Sequence, residues 1–100
     1  MQTPEGKVKA DLKKILDGLG AYYFFPATGG YGRSGVPDVV GVVEGKFFAI
    51  ECKAPGKKPT ALQIRELKNI RKAGGVAFVY DGTLADDHVT DIILGVYRDA

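Results

Sequence analysis

One hundred residues leave room for one compact domain, residues 1–100, and rule out two. Hydrophobic residues at 45% and charged residues at 26% are globular values, far from the charge-rich, apolar-poor composition that keeps chains disordered. Fourteen basic against twelve acidic residues leave a formal charge of +2, too mild to announce a nucleic-acid partner through net charge alone. A lone Cys52 cannot form an internal disulfide, so a reduced compartment is expected. Nothing approaches the roughly 20 apolar residues of a membrane span, and Met1-Gln2-Thr3-Pro4-Glu5 has no signal-peptide character. The expectation is a soluble cytoplasmic protein without a membrane partner.

Thr3 reads as an N-cap with Pro4 at the first helical position and Glu5 in the first turn. Val8, Leu12, Ile15, Leu16 and Leu19 follow at helical spacing, and Gly18 and Gly20 supply the stop. Tyr22 to Phe25 is an aromatic run suited to a buried strand, closed by Pro26. A glycine-dense loop then carries Tyr31, Arg33 and Ser34 to Val36-Pro37-Asp38. Val39 to Val43 and Lys46 to Lys53 read as a hairpin turning at Glu44-Gly45. Past the loop containing Lys57 and Lys58, Thr60 caps a second helix through Ile64, Leu67 and Ile70 to Gly74-Gly75. Val76 to Tyr80 is a strand, and Leu84 to Tyr97 spaces Val89, Ile92, Ile93 and Val96 helically against its β-branched content. The order α-β-β-β-α-β-α describes a mixed β-sheet flanked by helices, an α/β domain.

The chemistry starts from an anomaly in the third strand. Phe47, Phe48, Ala49 and Ile50 call for burial, yet Glu51 and Lys53 continue the run and share one face of the sheet, with Cys52 on the other. Acid-x-Lys also occurs at Glu5-Gly6-Lys7, Asp11-Leu12-Lys13, Glu44-Gly45-Lys46 and Glu66-Leu67-Lys68; only Glu51-Cys52-Lys53 lies in a core strand, where a charge needs a partner or a metal. A strand-end ion pair at the rim is the plain alternative. With the turn at Glu44-Gly45, Asp38 at the head of the neighbouring strand comes beside Glu51 and Lys53, although Pro-Asp also simply initiates turns. Two adjacent carboxylates repel unless a cation sits between them, and hard oxygen ligands suit Mg²⁺ or Mn²⁺.

Val36-Pro37-Asp38 with Glu51-Cys52-Lys53 resembles the signature of PD-(D/E)XK nucleases. Pro59-Thr60-Ala61-Leu62-Gln63 and the early Glu5 are similar to the virus-type replication-repair nuclease (VRR-NUC) branch, in its stand-alone phage or bacterial form. The likeness runs from Glu5 to Tyr80 and implies a restriction-endonuclease-like core and phosphodiester hydrolysis in DNA. It implies that Asp38, Glu51 and the Cys52 main-chain carbonyl hold Mg²⁺, with Mn²⁺ as substitute. Lys53 would serve the attacking water, and Glu5 and Gln63 would complete the catalytic set. For short members it implies homodimers resembling archaeal Holliday-junction resolvases, hence branched DNA as partner and, for a phage-encoded chain, the host cytoplasm. Exonuclease-type relatives carry Gln-x-x-x-Tyr in this helix; Gln63 is followed instead by Leu67, which argues against end-processing.

The residues also bear a reading of their own. Glu5 falls on the stripe of Val8 and Leu12 rather than the lysine face of Lys7, Lys9, Lys13 and Lys14, though a first-turn Glu also complements the helix dipole. Gln63 shares a stripe with Leu67 and Ile70, pointing its amide inward toward Lys53 or the water; as third residue after Thr60 it equally suits a capping box. Tyr31, Arg33, Ser34, Lys57 and Lys58 are the expected DNA contacts, with Arg33, Lys57, Lys58 and the helix lysines on the backbone and Tyr31 on a base or sugar; a plain mobile loop is the alternative for the glycine-rich stretch. Gly30-Tyr31-Gly32-Arg33-Ser34-Gly35 lacks the Lys-Ser/Thr end of a nucleotide loop, the single His88 has no second ligand in sight, and Cys52 has no paired base. The expectation is a metal-dependent DNA endonuclease. The rivals are a non-catalytic DNA-binding module with a structural acid cluster, and a small interaction protein using the Tyr22–Phe25 aromatics.

Overall fold

The computed structural model describes residues 2–27 and 32–96. Helix α1 (Pro4–Gly18) begins where Thr3 Oγ1 accepts the Gly6 N–H at 3.0 Å, with Pro4 in its first turn. Strand β1 (Tyr22–Phe24) follows, then the hairpin of β2 (Val39–Val43) and β3 (Lys46–Cys52). The hairpin turns on Glu44 and Gly45, whose φ values of 50° and 76° are those of a two-residue type I′ turn. Helix α2 (Ala61–Lys72), strand β4 (Val76–Tyr80) and helix α3 (Asp86–Ile93) complete the elements among the described residues. The four strands lie in the order β1-β2-β3-β4, antiparallel except for the β3–β4 pair. Parallel pairing requires a crossover, and α2 provides it.

Alternation along the strands divides the core. Phe48, Ile50 and Cys52 face α1 and α3, where they pack with Val8, Leu12, Leu16, Val39, Tyr80, Val89 and Ile93. Ala49 faces α2 and packs with Leu67 and Ala77. Both faces of β3 are therefore covered, so its last five residues are all buried. Helix α3 is shorter than the spacing of its apolar residues suggests, ending with Leu94 as C-cap.

Two expectations change. The Tyr22–Phe25 run forms an edge strand instead of a buried one, with Tyr22 71% and Phe24 51% exposed; only Tyr23 turns inward, its hydroxyl donating to Asp17 at 2.6 Å. The cause is position: β1 ends the sheet, and α2 packs over β3 and β4, leaving the β1–β2 side of that face open. Glu5 is not buried with Val8 and Leu12 but stands at the rim, its side chain 42% exposed.

Candidate metal and DNA site

The β2–β3 register, with Val39 opposite Ile50, sets Asp38 beside the Glu51–Cys52 end of β3. Asp38 Oδ2 accepts the Cys52 N–H at 2.8 Å, which ties the head of β2 to that strand end. Lys53 extends the ladder by donating its own N–H to Tyr80 at 3.0 Å, so the site rests on hydrogen-bonded backbone and not on a loop.

Glu51 is the uncommon residue. It is 1% exposed, and neither Oε1 nor Oε2 has a hydrogen-bond partner among the described residues. The Lys53 ammonium stands 3.9 Å from Oε2, at the limit of an ion pair. Burial, and next the neighbouring Asp38 carboxylate, push the Glu51 pKa up to about 8, with Lys53 pulling the other way. A buried carboxylate with both oxygens unsatisfied lacks positive charge.

The residues present fit a hard divalent ion. Among the described residues no group of three or more His, Cys, Asp or Glu side chains is arranged to hold a metal. An ion would thus rest on two carboxylates, a main-chain carbonyl and water, the mixed coordination that Mg²⁺ accepts. Cys52 would offer backbone only: its side chain is fully buried, and burial, then Asp38, push the thiol up to about 12.

On the α1 side, Lys9 reaches Glu5 Oε2 at 3.3 Å and Asp38 Oδ1 at 3.8 Å. Burial alone would lower the Lys9 pKa, and Asp38 and Glu5 more than reverse that, leaving it above the ordinary lysine range. Glu5 is therefore brought to the site through Lys9, which by sequence position alone belongs to the solvated lysine face of α1. Its signal was present: Lys9 follows Glu5 by four residues, the spacing of a helical ion pair.

Gln63 takes the capping role. Its Oε1 accepts the Thr60 N–H at 2.8 Å, and the Thr60 hydroxyl accepts the Gln63 N–H at 3.2 Å. This reciprocal box commits the amide oxygen locally and keeps it from Lys53.

Of the expected DNA contacts, Tyr31 lies outside the described residues. Ser34, Lys57 and Lys58 are exposed, the lysines beside a turn closed by the Lys57 N–H on the Ala54 carbonyl at 3.0 Å. Arg33 is exposed but engaged: its Nε and Nη2 donate to Glu66 Oε1 and Oε2 at 2.6 and 3.2 Å. Glu66, only 7% exposed, is a buried carboxylate of the kind tolerated only when paired; Arg33 supplies the close pair, and the Arg65 Nε stands farther off, 3.8 Å from Oε2. Gly35 completes the docking of this loop on α2, with φ +79° and so close an approach that an added Cβ would lie 2.6 Å from the Leu62 carbonyl oxygen. Glu66 went unrecognised in the sequence, because nothing local distinguishes it from the other acid-x-Lys matches.

A groove of about 1240 Å³ lined by Lys46, Phe47, Ile70, Gly75, His88 and Asp91 lies at the turn end of β3, away from Asp38 and Glu51; among the described residues no group of three or more metal-ligating side chains forms there.

The family model described as archaeal Holliday junction resolvase (Hjc) matches residues 5–80. The chain belongs to the Hjc family. A solved structure described as a VRR_NUC domain superposes with a TM-score of 0.73 and 30% identity, over 95% of this chain and 99% of that one. The mixed sheet with three helices is accordingly the restriction-endonuclease-like fold. A phage protein described as "Putative nuclease p44", from Acyrthosiphon pisum secondary endosymbiont phage 1, is 47% identical over 51 residues, covering 50% of this chain and 55% of that protein. The match thus spans about half the length of that curated relative. The segment matched by the Hjc model runs from Glu5 to Tyr80 and includes Lys9, Asp38, Glu51, Lys53 and Gln63. No helix among the described residues is long and apolar enough to cross a membrane.

Proposed function

We propose that this Hjc-family chain is a Mg²⁺- or Mn²⁺-dependent deoxyribonuclease, an endonuclease that hydrolyses phosphodiester bonds in branched DNA such as Holliday junctions and works as a homodimer in the cytoplasm. The observation that carries this reading is Glu51, buried beside Asp38 with neither carboxylate oxygen hydrogen-bonded among the described residues and the Lys53 ammonium only at the 3.9 Å limit of an ion pair. Asp38, Glu51 and the Cys52 carbonyl hold the ion. Once bound, the ion supplies charge neutralisation at the phosphoryl oxygen and lowers the pKa of water. Lys53, 15% exposed on its side chain and on the Glu51 face, orients the attacking water and balances the negative charge that develops on phosphorus-bound oxygen. Ser34, Lys57 and Lys58 take the DNA backbone, while Arg33 holds the loop on α2 and keeps one edge of its guanidinium for phosphate.

The homodimer has support from the open side of the sheet. Tyr22 pairs with Val42 and Val42 with Phe47, and all three are exposed, as is Phe24. A contiguous apolar surface of this kind is uncommon on a monomer. Junction selectivity is supported by the family match, and the small size of one chain beside a four-way junction favours a two-fold dimer.

A cleavage panel of junction, flap and duplex DNA with Mg²⁺, Mn²⁺ or EDTA, run alongside light scattering, tests the reading. Cutting should need a divalent ion, favour the junction and vanish in Asp38→Ala. Binding of junctions without cleavage under any metal would establish the non-catalytic alternative instead.

A further inference from the structure

Lys9 occupies a place that an ordinary surface lysine has no reason to take. Its two acidic neighbours come from different elements, Glu5 from α1 and Asp38 from the head of β2, at 3.3 and 3.8 Å. The helical i,i+4 spacing accounts for Glu5 and not for Asp38. The Lys9 side chain is 35% exposed, so it is partly withdrawn from water. Asp38 is gripped from two sides, Oδ2 by the Cys52 N–H at 2.8 Å and Oδ1 by the ammonium. Two-metal phosphodiester sites place their ions about 3.5–4 Å apart on a symmetric clamp. Here Asp38 Oδ1, an oxygen that a second ion shared with Glu5 would need, already faces the Lys9 ammonium at 3.8 Å.

We propose that Lys9 is a built-in counter-cation: its ammonium fills the Glu5 side of Asp38 and limits each chain to one divalent ion, held between Asp38 and Glu51. The inference rests on the reading of Asp38 and Glu51 as metal ligands. Glu5 then acts through Lys9 instead of ligating the ion, and Lys9 is a positioning residue that keeps Oδ1 aligned before metal and DNA arrive. A tethered side chain does not dissociate as a second metal ion does, so Asp38 Oδ1 keeps its counter-charge at any metal concentration.

Calorimetric titration of the full chain with Mn²⁺ in the absence of DNA, checked by the paramagnetic resonance signal of free Mn²⁺, decides the matter. Wild type and Lys9→Arg should bind one ion per chain. Lys9→Met should bind two, a doubling that Lys9→Met combined with Glu5→Gln should reverse. Far-UV circular dichroism establishes that each variant is folded, and Lys9→Gln replaces Lys9→Met should the latter not fold. Two ions on the wild type, or a single ion on both Lys9→Met and Lys9→Gln, overturn the counter-cation role and leave the metal site standing. No Mn²⁺ binding by the wild type overturns the metal site itself.

Discussion

Replacing Glu51 with glutamine should stabilise the metal-free protein at alkaline pH, an uncommon outcome for a change at a fully buried position. The Glu51 pKa rises from 4.5 to about 8 on folding. Between those values the folded chain keeps a proton that the unfolded chain has released, so wild-type stability falls as pH rises through the window. A span from 4.5 to about 8 at about 1.4 kcal/mol per pH unit gives roughly 5 kcal/mol as the ceiling, nearly all of it lost by about pH 8.5. Relaxation and water entry reduce this, and about 2–5 kcal/mol is expected, enough to move the melting temperature by on the order of 10 °C or more in a domain of this size. Glutamine keeps the shape and cannot ionise, so the margin of Glu51→Gln over wild type should grow from about 1.4 kcal/mol or less near pH 5.5, one unit into the window, to its full size near pH 8.5. The raised pKa values of Lys9, Tyr23, Tyr80 and Cys52 lie above the window and the lowered one of Asp81 lies below it. Urea unfolding in EDTA at both pH values, followed by circular dichroism, measures the gap. Adding Mg²⁺ at pH 8.5 should close it by stabilising wild type alone. A gap that fails to open between pH 5.5 and 8.5 would refute the claim that Glu51 is a buried carboxylate short of positive charge.

Lys53→Met should lower single-turnover cleavage by about 10²–10⁴ while calorimetric Mn²⁺ binding persists, because the ammonium serves the water and the developing charge, not the ion. Gln63→Ala should cost about 1 kcal/mol in urea unfolding through its capping box and leave the cleavage rate unchanged; a large rate loss would return this amide to the catalytic set. Gly35→Ala combines a left-handed φ of +79° with a Cβ 2.6 Å from the Leu62 carbonyl oxygen. It should destabilise by about 2 kcal/mol or more and weaken DNA binding by displacing the loop that carries Arg33 and Ser34, both measurable by urea unfolding and fluorescence anisotropy.

What the sequence by itself determined is local. Thr3 and Thr60 start their helices because a side-chain oxygen at the cap satisfies an early helical N–H. Glu44-Gly45 permits a two-residue turn, which fixes the hairpin register. Once that register is set, period-two alternation puts Asp38, Glu51 and Lys53 at one strand end with Cys52 on the opposite face, so the centre of the candidate site was legible before any packing was known. The rest was decided in three dimensions. Tyr22–Phe24 became an exposed edge because strand order and the placement of α2, neither a property of those residues, left that side uncovered. Lys9 joined Asp38, and Arg33 joined Glu66 across 33 positions, because a helix face and a strand head, or a loop and a second helix, meet only when the layers pack. Spacing specifies neighbours within an element; which elements touch, and which charges must then be shared, depends on how the whole chain buries its apolar surface.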